Sequence, residues 1–119
     1  MTINTELEIG HRPWGRYEVL SVKEGYKVKR IIVFPKGKLS LQLHQYRSEH
    51  WVCISGSGIM QLDNKQFEIT QNDSVYIPIK SHHRITNTGL INLEIIETQI
   101  GKYLGEDDIV RLEDDFGRV

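Results

Sequence analysis

Gln42-Leu43-His44-Gln45-Tyr46-Arg47-Ser48-Glu49-His50-Trp51 is the stretch on which the reading of this chain turns. In an extended strand residues two apart share a face, so Gln42 and His44 lie together while Leu41 and Leu43 take the other side. Glu49 opens the next strand, and a tight antiparallel loop between the two brings it across from His44. The same parity sets Trp51 and Cys53 on Glu49's face and His50 and Val52 on the opposite one. A second segment, Pro78-Ile79-Lys80-Ser81-His82-His83-Arg84-Ile85-Thr86-Asn87, delivers His83 from another part of the chain. Two imidazoles, one carboxylate and one amide oxygen suit a single borderline divalent ion, zinc first, with manganese, cobalt, nickel or iron(II) as alternatives. A solitary strand histidine is more often an ordinary core or surface residue. His82 competes locally with His83, and His50 with Glu49. The joint frame of Gln42, His44, Glu49 and His83 is what favours a metal site.

The rest of the chain supplies short strands. Turn residues at Arg12-Pro13-Trp14-Gly15, Lys23-Glu24-Gly25, Pro35-Lys36-Gly37-Lys38, Gly56-Ser57-Gly58, Asp63-Asn64-Lys65 and Gln71-Asn72-Asp73 punctuate segments rich in β-branched and aromatic residues. They predict about nine strands: 16–22, 26–34, 39–44, 50–55, 59–62, 66–70, 74–77, 82–87 and 91–99. No long window has helical period, so the fold class is all-β, a sandwich or barrel. Met1 to His11 reads as an arm or short edge segment, and residues 12–119 as one domain. In the tail, Gly105 to Leu112 has the composition for one short helical turn, and Glu113-Asp114-Asp115 makes an acidic end that is either solvated or folded over the barrel.

At 119 residues the chain buries enough surface to be stable without disulfides or a second domain. Fifteen basic against sixteen acidic residues argue against a chain that holds nucleic acid or an anionic membrane by bulk charge. A small anionic substrate needs only local cations. The one cysteine, Cys53, excludes a disulfide framework and a multi-cysteine zinc module, and it fits a reducing compartment. Met1 to Gly10 lacks a secretory pattern and no apolar run approaches the roughly 20 residues of a spanning helix, so the expectation is a soluble cytoplasmic protein.

At the ligand segments the sequence resembles the cupin family, whose first motif sets two histidines two apart, then a glutamate and a glycine. Those positions fall on Gln42, His44, Glu49 and Gly56. The second motif, a proline, a glycine, a histidine and an asparagine, looks like Pro78, Lys80, His83 and Asn87. Gln42 replaces the first histidine and Lys80 the glycine. A glutamine in that place is similar to phosphomannose isomerases. Arg12 to Gly15, Tyr26 to Arg30, Leu39 to Gln42, Arg47 to Trp51, Tyr76 to Pro78 and Tyr103 to Arg111 resemble the type II phosphomannose isomerase domain, over about Arg12 to Arg118. Family members typically carry three successive histidines where this chain has His44-Gln45-Tyr46.

The resemblance implies a cupin-type double-stranded β-helix (jelly-roll barrel). It also implies a metal-dependent isomerase of mannose 6-phosphate and fructose 6-phosphate, with no guanylyltransferase half in a chain this short, and a homodimer. Such chemistry moves a proton between adjacent carbons through an enediol and needs a base and a cation for the developing oxyanion. Glu97 is a candidate base, with an exposed strand carboxylate as the alternative. Arg47 matches an arginine of the family motif and is the candidate active-site cation, with a solvated loop arginine as the alternative. Arg30 and Arg111 are candidates to clamp a phosphate bidentately, structural ion pairs being the alternative. Trp14 reads as packing, and Trp51 as packing or a sugar-facing wall. Other readings are a metal cupin acting on another small molecule, such as a dioxygenase or epimerase, and a non-catalytic sugar-binding cupin.

Overall fold

A computed structural model describes residues 8–115 and 117. Eleven strands form among them: β1 (Ile9–Arg12), β2 (Gly15–Lys23), β3 (Tyr26–Val33), β4 (Leu41–Leu43), β5 (Arg47–Ser55), β6 (Ser57–Leu62), β7 (Lys65–Thr70), β8 (Ser74–Ile77), β9 (His83–Asn87), β10 (Leu93–Gly101) and β11 (Val110–Glu113). One sheet runs β1-β2-β3-β10-β5-β8 and the other β11-β4-β9-β6-β7. Every pairing between named strands is antiparallel. Among the described residues no helix is long and apolar enough to cross a membrane.

The expected all-β barrel is present, with local differences. The end of the predicted arm, Ile9 to His11, is an edge strand paired to β2, while residues 1–7 lie outside the described residues. Of the helical turn predicted over residues 105–112, Gly105 to Asp108 form one turn closed by Asp108 N donating to the Gly105 carbonyl at 3.1 Å, and the chain then continues not as helix but as β11, which pairs with β4 and closes an edge of the second sheet. That edge would otherwise leave backbone donors and acceptors unpaired, which outweighs a weak local helical pattern.

Why the site sits where it does follows from one alternation. Inward-facing positions on β3 run Lys27, Lys29, Ile31, Val33, opposite Gln99, Glu97, Ile95, Leu93 on β10. On β5 the same rows continue as Glu49, Trp51 and Cys53. One end of this inner face is therefore hydrocarbon, packed with Trp14, Met60, Ile69, Ile77 and Ile85 in the core between the sheets. The other end is charged yet still buried, since Lys27, Lys29, Glu49, Glu97 and Gln99 are all under 9% exposed. Buried charges are retained only when paired, so this end has to be organised by partners.

Two motif residues do structural work at the sheet corners. Gly56, where the chain leaves β5 for the other sheet, has φ +84, and an added Cβ would fall 2.7 Å from the Asn92 carbonyl oxygen. Only glycine takes that conformation and that approach without strain. Asn87, 2% exposed, donates from Nδ2 to the Val33 and Ile91 carbonyls at 2.9 Å each, and its Oδ1 accepts from Gly89 N at 2.8 Å. Asn87→Ala removes all three bonds and takes a donor from the buried Val33 carbonyl. Chemical denaturation is expected to show a loss of about 2–4 kcal/mol.

Candidate metal centre

His44, just past β4, and Glu49, on β5, do not meet as a hairpin pair as the sequence suggested. Their strands belong to opposite sheets, and Glu49 is registered with Ile77 and Gln99. They meet across the barrel because inner-face residues of both sheets converge at its polar end. His83 opens β9 beside Gln42 on β4, so the second sheet contributes Gln42, His44 and His83 to the same pocket. One ligand atom from each of His44, Glu49 and His83 lies within 4.8 Å of the others, and all three residues are buried. His44 Nε2 is 3.3 Å from Glu49 Oε2, and His83 Nε2 is 3.8 Å from Glu49 Oε1.

The donor chemistry fits a divalent ion. His44 Nδ1 is 2.6 Å from the Asp108 carbonyl oxygen and His83 Nδ1 is 3.0 Å from that of Ser81. A carbonyl oxygen only accepts, so both Nδ1 atoms carry the proton and Nε2 is the unprotonated nitrogen of each ring, with that of His44 accepting a long bond from Arg47 Nη2 at 3.4 Å that a metal ion would replace. Gln42 donates from Nε2 to Ser40 O and Oγ at 3.3 and 3.1 Å, which leaves its amide oxygen outside those bonds. Desolvation pushes the pKa of both histidines down to about 4, helped at His44 by the charge of Arg47, so both are neutral at pH 7 as ligation requires.

Arg47, 5% exposed, is no loop surface residue. Its Nε donates to Glu49 Oε2 at 2.8 Å and its other nitrogens approach His44 Nε2 and the Gly105 carbonyl at 3.4 Å. Glu97, 3% exposed on β10, accepts from Trp51 Nε1 at 3.1 Å and from Gln99 Nε2 at 2.9 Å. Trp51 Nε1 is also 3.0 Å from Glu49 Oε1, so one indole N–H ties the two carboxylates together. Desolvation first, and then the Glu49 charge, raises the Glu97 pKa to about 7.

Arg111 also lines this pocket, with Arg12, Trp14, Lys29 and Glu106. Arg30 does not. Its parity on β3 turns it to the outer face, where it pairs with Glu94 at 2.6 Å and Glu18 at 3.1 Å, and this corrects its candidacy for substrate binding. The cation facing inward is its neighbour Lys29. Alternation of Lys27, Lys29, Ile31 and Val33 carried that signal, but the successive apolar residues Ile31-Ile32-Val33 masked which parity faced the core. The part played by Asp108 in the tail had no signal in the sequence. Asp108, 6% exposed, accepts from Gln45 N and Tyr46 N at 2.8 and 3.0 Å, while its own carbonyl holds His44. Gln45 and Tyr46 thus contribute backbone, and their side chains are exposed and do not line the pocket.

A two-sheet antiparallel barrel with a His/Glu cluster at its polar end is the architecture of a cupin. A solved double-stranded β-helix protein from Klebsiella pneumoniae has the same fold, with a TM-score of 0.72 at 15% identity over 96% of this chain and 90% of that one. The chain belongs to the family described as mannose-6-phosphate isomerase C-terminal, whose sequence model matches residues 3–114. It is 53% identical over 108 residues to the alginate biosynthesis protein AlgA of Pseudomonas aeruginosa, and 47% identical over 108 residues to a mannose-1-phosphate guanylyltransferase of Klebsiella pneumoniae. Each alignment covers 91% of this chain but only 22% and 23% of those proteins, so the chain spans about a fifth of their length.

Two outcomes are expected. Without metal, His44 and His83 refuse protons that the unfolded chain binds below pH 6.5, while Glu97 keeps one that the unfolded chain loses above 4.5. Between those limits the unfolded state holds about one more proton net, so stability falls as pH drops from 6.5 to 4.5. Urea titrations in chelator across that window measure the slope. With metal, calorimetric titration of cobalt(II) or zinc(II) is expected to give one site per chain. His83→Ala and Glu49→Gln should abolish it, and Asp108→Ala, which releases the His44 loop, should weaken it about 10- to 100-fold. Stoichiometric metal in the first two variants contradicts this ligand set.

Proposed function

We propose that this chain is a metal-dependent sugar-phosphate isomerase domain that interconverts mannose 6-phosphate and fructose 6-phosphate. The observation that carries the reading is one pocket joining the His44, Glu49 and His83 cluster to a buried carboxyl poised near neutrality, Glu97, and to a basic wall of Arg12, Lys29 and Arg111. When bound by Gln42, His44, Glu49 and His83, a divalent ion, zinc first among the candidates, supplies Lewis-acid polarisation of the sugar's carbonyl and adjacent hydroxyl.

The chain's own residues do the rest. Glu97 takes the proton from C2 of the aldose and returns it to C1 while the O2 hydroxyl proton passes to O1, so the aldehyde becomes the C1 alcohol and C2 the carbonyl through an enediol, with no atom gained or lost. Trp51 and Gln99 hold the carboxyl in one orientation for both transfers. Trp14, Ile31, Leu39 and Trp51 give the pocket apolar walls that limit water around the reacting carbons. Arg47, bonded to Glu49, keeps a positive charge beside the ligand set.

The relatives' names favour a role in supplying nucleotide-sugar or polysaccharide synthesis. The same reading places the chain in the cytoplasm, as a homodimer acting on a small sugar phosphate. A non-catalytic sugar-binding barrel would draw its support from Gln45 and Tyr46, yet neither side chain lines the pocket.

A coupled assay with mannose 6-phosphate is expected to show turnover that chelator removes and divalent metal restores. No chelator-sensitive turnover at saturation sinks the proposal. Glu97→Gln should lower kcat about 10²- to 10⁴-fold with little change in KM. In the parent, kcat/KM should fall at acid pH as Glu97 gains its proton, with a midpoint below the metal-free value of about 7 because a divalent ion offsets the Glu49 charge, and this acid limb should be absent from the variant. Arg30→Ala, on the outer face, should stay within about threefold of the parent.

A further inference from the structure

Lys27 and Lys29 face inward on β3 and are 8% and 5% exposed, an unusual state for lysine unless an anion is at hand. One carboxylate serves both. Glu106 Oε1 and Oε2 lie 2.9 and 3.1 Å from Lys29 Nζ, and Oε2 is 3.6 Å from Lys27 Nζ. Lys27 Nζ also donates to the Leu104 carbonyl at 2.7 Å. Lys29 Nζ sits 3.9 Å from the centroid of the Tyr17 ring, which also carries the Arg12 guanidinium at 4.9 Å. Glu97 stands opposite Lys29 on β10 and also feels its charge, while Arg12 on the Tyr17 ring and Arg47, which acts on Glu106, add positive charge to the same end of the pocket.

Glu106 is not part of the barrel wall. It lies in the turn between β10 and β11, enters the pocket from the solvent side, and keeps 31% of its side chain exposed. Lys29 and Glu106 line the same pocket as Gln42, His44 and Glu49. Burial opposes ionisation of the Glu106 carboxyl, yet the charge and hydrogen bond of Lys29 hold it below the usual carboxylate range. The arrangement is that of an oxyanion seated in a cationic subsite at a pocket mouth. A phosphoryl group offers the same acceptor oxygens with nearly twice the charge. The turn need not come loose for the exchange, since Asp108 anchors it separately through Gln45 N and Tyr46 N.

We propose that Lys29, backed by Lys27, forms the subsite for the substrate's phosphoryl group, and that Glu106 is its resident anion, displaced when a phosphorylated ligand binds. This deepens the isomerase reading and rests on it for the sugar, but not for the anion. The test is calorimetric titration of the metal-loaded chain with inorganic phosphate. Glu106→Gln, which keeps the shape and removes the competing charge, should tighten phosphate binding at least about fivefold. Lys29→Met, close in shape, should lose that binding in both the parent and the Glu106→Gln background, while Lys29→Arg retains it. Thermal melts confirm that each variant is folded. Phosphate affinity unchanged or weakened by Glu106→Gln, or retained in Lys29→Met, overturns the exchange. Should parent turnover of mannose 6-phosphate accompany that result, the isomerase reading survives alone. Should phosphate respond as expected without turnover, the subsite stands and the isomerase reading falls.

Discussion

Both pocket histidines are held by backbone carbonyls, and most of the site depends on that constraint. Asp108 O and Ser81 O each fix an Nδ1 proton, which turns both Nε2 lone pairs toward Glu49. Neither carbonyl belongs to the strand its histidine follows or opens: Ser81 lies in the turn before β9, and Asp108 in the tail before β11. Ring orientation is therefore set by loops, and the loops are set by the sheets. Burial supplies the other half, since desolvation keeps both rings neutral and able to ligate where surface imidazoles would be partly protonated.

The tail carries more of the site than its position near the end of the chain suggests. Within five residues it offers the Leu104 carbonyl to Lys27, the Gly105 carbonyl to Arg47, the Glu106 carboxylate to Lys29, and both the carbonyl and carboxylate of Asp108 to the 44–46 loop. Strand β11 then pins this turn by pairing with β4, the strand that leads into His44. Closing the sheet edge and completing the pocket are one structural event.

Much of the fold was legible because turn residues and β-branched segments alternate at strand spacing, and local chemistry determines both. The histidine and glutamate positions were legible because imidazole and carboxylate in strand frame are uncommon together. Lys29 was not, because Ile31, Ile32 and Val33 are apolar on both parities and all buried, so alternation could not tell Arg30's face from Lys29's. The pairing of Glu106 with Lys29 spans 77 residues of sequence, and no local pattern reports a contact of that range. The strand at Val110–Glu113 was hidden for a similar reason: its four residues have little intrinsic preference, and pairing with β4 decides their state.

The places where this chain departs from the pattern of its family are instructive for the same reason. Lys80 stands where glycine is usual, at φ 67, and donates its N–H to the His44 carbonyl at 2.8 Å. The position asks for a left-handed backbone and a donor, and lysine meets both at a conformational cost of about 1 kcal/mol. Gln45 and Tyr46 stand where histidines are usual, and each gives Asp108 an N–H that any residue but proline would give. Apart from Gln42, which lines the pocket where the cupin motif has its first histidine, the departures thus fall where backbone geometry serves the site, whereas His44, Glu49 and His83, whose side chains converge on the pocket, keep the residue types that the family motif expects. Change at 45, 46 and 80 is tolerable on physical grounds because the side chain there is not what holds the centre together.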